Sequence, residues 1–226
     1  MLKKILRNLH IIHNIYIKHK FFIKKKSYAM DNEDTAVLNY FKDKENGFYV
    51  DVGCYHPIHR NNTYLLHKKN WNGINIDTSQ FSIDLFNHMR PDDLNYNCAI
   101  SNKNEIISLF YQKELSQLST TDKDQAETVF QGHIKEKSIQ AFTLDEILNR
   151  DKFKNVKIDF LDIDVEGADL KVLEGLSFDK FKPELVCVEI HAKEIKKSDI
   201  YKFLVNKNYE LLWSGVFSHI FKRLEN

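Results

Sequence analysis

Gly47-Phe-Tyr-Val-Asp-Val-Gly53 is the stretch on which the fold turns. Residues 48–52 form a short apolar run broken by one acid and ended by glycine, the profile of a strand buried on both faces of a parallel sheet. Downstream, the spacing predicts a helix over 62–69. Gly73-Ile-Asn-Ile-Asp77 then reads as a second short strand with an acid at its C-terminal tip. Ser79 is placed to cap a helix running to about residue 89, and 96–100 reads as a third strand. Residues 106–111 and 138–142 predict less regular strands on either side of a polar stretch, 116–137. Thr143-Leu-Asp-Glu146 has the form of a capping box opening a short helix. Next come a buried strand over 158–164 and a helix over 168–174, which Gly175 should end as a C′ residue. A strand over 185–190 and a helix over 198–206 follow. Residues 209–213 and 216–222 should close the chain as a hairpin around Ser214-Gly215. Such alternation predicts an α/β fold: an open, mostly parallel, Rossmann-like sheet with helices on both faces and a C-terminal antiparallel hairpin.

Composition agrees with one domain of ordinary size. Of 226 residues, 42% are hydrophobic and 29% charged, which excludes wholesale disorder, and 7 Gly with 3 Pro leave no Pro/Gly-rich linker. The three cysteines, Cys54, Cys98 and Cys187, are odd in number and far apart. They support neither a zinc ribbon nor a disulfide framework, and fit a reducing cytoplasm.

Charge divides the chain at about residue 30. Residues 1–30 hold 8 of the 33 basic residues and none of the 32 acidic ones, leaving a net charge of −7 on 31–226. An acidic body is a poor surface for nucleic acid, so no nucleic-acid partner is expected. The expected division is a basic helical segment over 1–30 and the α/β domain over 31–226. Leu2, Ile5, Leu6, Leu9, Ile12, Ile15 and Tyr16 recur at helical spacing among Lys and His, yet no run is long enough to span a bilayer. His10, His13 and Asn14 interrupt any secretory core, and no small-residue cleavage site follows. Two readings stand: peripheral contact of residues 1–26 with the inner face of an anionic membrane or with a partner, or a terminal helix packed on its own domain. A homo-oligomer stays open.

Ligands of open α/β sheets sit beyond the carboxyl ends of the strands. Here nearly every tip carries an acid: Asp51, Asp77, Asp164 with Glu166, and Glu189 followed by His191. The first turn, Gly53-Cys-Tyr-His-Pro-Ile58, has one glycine where a dinucleotide site needs three. A nicotinamide-dependent oxidoreductase is therefore the weaker alternative, and a non-catalytic docking module the third. One glycine, an acid for ribose hydroxyls and an acid near an amine suit a nucleoside without phosphates, such as S-adenosylmethionine.

The order of motifs adds a resemblance. Asp51-Val-Gly53, Asn62-Thr-Tyr-Leu-Leu66 and Trp71-Asn-Gly-Ile-Asn-Ile-Asp77 are followed by Thr143-Leu-Asp-Glu-Ile-Leu148. Ile158-Asp-Phe-Leu-Asp-Ile-Asp-Val-Glu-Gly-Ala168, Val172-Leu-Glu-Gly175 and Val188-Glu-Ile-His191 complete the series. Over residues 47–191 this resembles the FkbM family of S-adenosylmethionine-dependent methyltransferases. The resemblance implies a class I methyltransferase fold and O-methylation, often of sugars in bacterial surface glycans such as capsule or lipopolysaccharide. The acceptor is then a small molecule, a sugar or nucleotide-linked sugar.

The expected cofactor-binding residues are Asp51, Gly53, Cys54, Tyr55, Asn62, Asp77, Ser101 and Asp164. A sugar hydroxyl needs help to lose its proton, from a base or from a cation. Asp164, Glu166 and His191 are the expected catalytic residues, with His56 a further candidate at the rim. Asp164, Glu189 and His191 are the expected ligands should Mg²⁺ or Mn²⁺ serve instead. Tyr55, His59, Arg60 and His219 are candidates for an acceptor pocket.

Overall fold

The computed structural model describes residues 2–116, 118–150 and 156–225; Met1 and Asn226, the outer ends of the two expected segments, lie outside them. In chain order the strands are β1 (Phe48–Val52), β2 (Asn72–Asp77), β3 (Leu94–Asn97), β4 (Ala99–Ile100), β5 (Glu105–Tyr111), β6 (Lys135–Phe142), β7 (Phe160–Ile163), β8 (Leu185–Glu189), β9 (Tyr209–Ser214) and β10 (Ser218–Arg223). The helices are α1 (Leu2–Ile12), α2 (Glu33–Tyr40), α3 (Tyr64–His67), α4 (Gln80–Met89), α5 (Lys123–Val129), α6 (Leu144–Leu148), α7 (Asp169–Glu174), α8 (Phe178–Phe181) and α9 (Asp199–Asn206).

The main sheet has seven strands in the order β3-β2-β1-β7-β8-β10-β9. β1, β2, β3, β7 and β8 run parallel, and β10 is antiparallel to both its neighbours. The α/β sheet with its closing hairpin thus has the expected form. The chain leaves β1 toward β2 on one side and returns to β7 on the other, so the order reverses between β1 and β7.

Strand alternation gives the two faces of this sheet different chemistry. Val50, Val52, Ile74, Ile76, Leu161 and Ile163 pack into the larger apolar core, with Leu144, Ile147, Val172 and Leu204 from α6, α7 and α9. The opposite face carries a row of polar residues in register across four strands. Asn75 lies beside Asp51, Asp51 beside Asp162, and Asp162 beside Cys187, and all four are buried. Arg90, at the end of α4, is fully buried near this row. Its Nη1 donates to the Tyr49 hydroxyl (3.0 Å) and Thr63 Oγ1 (2.8 Å), and its Nη2 to Pro57 O (2.7 Å) and Asn61 Oδ1 (2.8 Å).

Three local expectations change in the structure. The strand expected over 96–100 divides at Cys98: β2 ends at Asp77, opposite Asn97, so β3 has no further backbone partner there. Ala99 and Ile100 instead pair with Ala141 and Phe142 of β6, founding a second sheet of order β4-β6-β5. Gly175 ends α7 with φ −79°, outside the left-handed region. Glycine is required there because a Cβ would stand 2.4 Å from the Ser101 carbonyl oxygen. The capping box at Thr143 forms by half. Thr143 Oγ1 accepts from Glu146 N (3.1 Å), but the amide of Thr143 is satisfied by Asn104 Oδ1 (2.8 Å) rather than by Glu146. Ser79 caps α4 as expected, and Ser198 caps α9.

Candidate active site

A cleft of about 700 Å³, open to solvent, lies at the carboxyl ends of β1, β2 and β7, where the strand order reverses. The floor comes from Val52 and Gly53 at the end of β1, Ile76 to Thr78 at the tip of β2, and Asp164 to Glu166 after β7. The opposite wall belongs partly to the small sheet, through Ile100 and Leu109, with Ser116, Ser119 and Thr121 from the loop beyond β5. Tyr55 and Arg60, from the loop after β1, complete it.

Gly53 sets the shape of the floor. It has φ +87°, and a Cβ there would lie 1.8 Å from the Asp164 carbonyl oxygen, so only glycine lets the β1 turn cross the end of β7. The amides of Gly53 and Cys54 both donate to Ile76 O, at 2.9 and 3.1 Å, tying the turn to β2. Asp77 is held from both sides: Oδ2 accepts from Tyr55 N (2.8 Å) and Oδ1 from Ser79 N (2.6 Å). Each oxygen keeps a further lone pair, and the carboxyl lines the cleft. Burial raises its pKa, against the two amide bonds that favour the anion.

Asp164 and Glu166 meet in the cleft, though not as neighbours on one strand face. β7 ends at Ile163, and the chain turns through left-handed Glu166 (φ +53°) and Gly167 (φ +94°). A non-glycine residue in that region costs on the order of 1–3 kcal/mol and persists only where its surroundings impose it. Here Asp169 imposes it, accepting from the amides of Val165 (3.4 Å) and Gly167 (3.1 Å), while Thr120 Oγ1 donates to Glu166 O (3.2 Å). The result is a concentration of acids. Burial, then the charges of Glu189, Glu166, Asp169 and Asp162, push Asp164 well above the usual carboxylate range. Burial and Glu189 lift Glu166 to about 7, while His191 pulls the other way.

Of the expected cofactor residues, Gly53, Tyr55, Asp77 and Asp164 line the cleft; Asp51, Cys54, Asn62 and Ser101 are not part of its wall. Asp51 lies beneath the turn, accepting from Thr63 Oγ1 (2.8 Å) and Asn61 Nδ2 (3.2 Å), and burial lifts it to about 6. Asn62 Nδ2 donates to Asp162 Oδ1 (3.1 Å), Cys54 is buried near Ser82, and the Ser101 amide donates to Phe142 O. Of the expected catalytic residues, Asp164 and Glu166 line the cleft and His191 stands outside its wall.

His191 Nε2 is bonded to Glu189 Oε2 (3.1 Å), and its side chain is 53% exposed. Among the described residues, no group of three or more His, Cys, Asp or Glu side chains is arranged to hold a metal ion. The expected Mg²⁺ or Mn²⁺ set of Asp164, Glu189 and His191 is therefore not assembled: the imidazole is turned onto Glu189 instead of joining it as a co-ligand.

His56 and His219 are structural. Nδ1 of His56 accepts from the amides of Ile58 (3.1 Å) and His59 (3.0 Å), which puts the ring proton on Nε2, donating to Asn14 Oδ1 (3.1 Å). It is fully buried, and burial with neighbouring His19 keeps it neutral. His219 is buried in β10, bonded to Ser214 Oγ (3.0 Å). Sequence reasoning missed Asp162 and the wall residues Leu109, Ser116, Ser119 and Thr121. Four hydroxyls within 116–121 were the available signal.

A search of characterised proteins finds no match to this chain. The profile of one family, described as the methyltransferase FkbM domain, matches residues 51–211, from the acid of β1 to the middle of β9. That span holds the glycine turn, both acidic tips and the whole reversal of strand order, and it covers well over half of the chain. The chain belongs to the FkbM methyltransferase family and is, in general terms, a methyltransferase.

Proposed function

We propose that the chain is an S-adenosylmethionine-dependent O-methyltransferase acting on a sugar hydroxyl, free or nucleotide-linked, of the kind built into bacterial surface glycans. The observation that carries this is the polarity of the cleft: a fixed carboxylate, Asp77, at the β2 tip, and two acids of raised pKa, Asp164 and Glu166, at the β7 tip. The donor set suits the cofactor: Asp77 for the two ribose hydroxyls, Ile76, Ile100 and Leu109 as apolar cover for a base, and Asp164 for the amine. When bound, S-adenosylmethionine supplies a methyl group on a positively charged sulfur.

Glu166 takes the proton from the acceptor hydroxyl as the oxygen–methyl bond forms and the sulfur–methyl bond breaks. A carboxylate with pKa near 7 is matched to that role at neutral pH. The proton taken from the hydroxyl would stay on the Glu166 carboxylate until it passes to solvent. Arg60, Ser116, Ser119 and Thr121 also line the cleft and would meet the acceptor there. Among the described residues, Asp164, Glu189 and His191 do not form a ligand set for a metal.

Demethylated cofactor at about 100 times its Kd should stabilise the chain by about 2.7 kcal/mol, with no response to NAD. Absence of any shift would end the reading. Mass spectrometry of a nucleotide-sugar panel then identifies the acceptor by a gain of one methyl group. Asp77→Ala should weaken cofactor binding about tenfold or more, because two buried hydroxyls lose their acceptor; unchanged affinity in calorimetry would remove Asp77 from the site. Turnover should persist in excess EDTA. Loss of activity on chelation, restored by Mn²⁺ or Mg²⁺, would return the reaction to a metal-assisted route.

A further inference from the structure

Helices on a domain surface ordinarily turn their apolar stripe inward. α1 does the reverse. It is held by its polar side: Arg7 bonds Asp84 (2.7 Å) and Glu114 (2.8 Å), His10 stacks on Phe81 with ring centres 4.3 Å apart, and Ile11 is buried. Leu2, Ile5, Leu6, Leu9 and Ile12 are all exposed, at 44–69%. At 3.6 residues per turn these five fall within a stripe about 120° wide, about half a turn away from Arg7 and Ile11. Further exposed apolar residues follow, Ile17 (63% exposed) in the π-helix His13–Lys18 that continues α1, and Phe22 (72%). The segment carries seven exposed lysines, Lys3, Lys4, Lys18, Lys20, Lys24, Lys25 and Lys26, with no acid before Asp31.

We propose that residues 2–26 dock the protein on an anionic lipid bilayer, the apolar stripe entering the headgroup boundary and the lysines meeting lipid phosphates. Charge selects this occupant. A second copy would bring an equally basic patch against the first, whereas a bilayer of acidic lipid supplies both the apolar layer and the counter-charge. No helix among the described residues is long and apolar enough to cross a membrane, so the contact is a surface one.

The same segment braces both loops that edge the cleft. His19 stacks on His59 (4.3 Å), beside Arg60, and Asn14 bonds His56; on the other side, Arg7 bonds Glu114, two residues before Ser116. Docking therefore presents the rim of the cleft near the lipid, a position suited to an acceptor sugar carried on a lipid anchor. That consequence rests on the proposed function; the docking itself does not.

The test is co-sedimentation of the full chain with vesicles of phosphatidylglycerol and phosphatidylcholine, compared with phosphatidylcholine alone, without methyl donor or acceptor. Binding is expected only to the anionic vesicles, falling steeply in high salt. Leu6→Glu with Leu9→Glu should weaken it by at least about tenfold, and Lys24→Glu, Lys25→Glu and Lys26→Glu together likewise. Where the leucine variant lowers the melting temperature, the lysine variant carries the test. No binding to anionic vesicles, or equal binding to neutral ones, overturns the proposal. So does a dimer, by light scattering, that the leucine variant converts to monomer while vesicle binding is absent.

Discussion

Glu166→Gln is expected to lower turnover by about 10²–10⁴-fold while leaving cofactor affinity nearly unchanged, since the amide keeps the size of the side chain but cannot accept the proton. The pH profile gives the sharper readout. Glu166 is lifted to about 7 by burial and by Glu189, and it must be ionised to act as a base. The wild-type rate should therefore rise as pH increases through about 7 and level above it, and the glutamine variant should lose that limb. His191 opposes the upward shift of Glu166, so His191→Gln should move the midpoint to higher pH without abolishing turnover. Full turnover in Glu166→Gln, with its pH limb intact, would transfer the role to Asp164.

Arg90→Met should cost about 3–5 kcal/mol of folding stability, the range for breaking a buried charged network from one side. The guanidinium satisfies four oxygens at once, on Tyr49, Thr63, Pro57 and Asn61, and none of them has water to turn to. Methionine fills part of the volume and satisfies no acceptor. For a chain of this length the loss corresponds to a fall in Tm of roughly 6–20 °C. Arg90→Lys should rescue little, because one ammonium cannot reproduce a fork that bonds in two directions. Arg90 also holds the Asp51 pKa down, so its loss should raise that carboxyl further. A urea denaturation midpoint giving less than about 1 kcal/mol of loss would mean that the network relaxes around the vacancy.

The parallel strands were legible because β1, β2, β7 and β8 are short, buried and bounded by glycine or acid. Buried parallel strands advertise themselves in that way. β1 was readable to the residue, and β9 and β10 could be read as a hairpin around Ser214-Gly215. The division at Cys98 was not legible, because Tyr96-Asn-Cys-Ala-Ile100 is one acceptable strand by composition. Only the end of β2 at Asp77 decides where pairing stops. At the site, the acids of the cleft could be read from their place at strand tips. Asp51 and Asn62 carried the same motif signal, yet they serve the layer beneath. Position in a motif does not reveal which face of a strand a side chain takes, nor which neighbour claims its hydrogen bonds. Arg90 offered no signal at all, since a buried arginine is defined by partners scattered over 49–63 rather than by its own surroundings in sequence.

The passage of the chain through Cys98 leaves the cleft with two frames of different origin. Val52, Gly53, Ile76, Asp77 and Asp164 stand on the seven-stranded sheet, Ile100 and Leu109 on the three-stranded one, and between β3 and β4 the link is a single residue. Insertions or substitutions along β5, β6 and the loop 112–122 can reshape one wall while the strand pairing of the other stays intact, the side-chain ties between the two walls including Thr120 to Glu166 O and Lys137 to Thr78 O. A change of acceptor would then be a matter of redrawing one hairpin, with the half that carries Asp77 and Gly53 left in place.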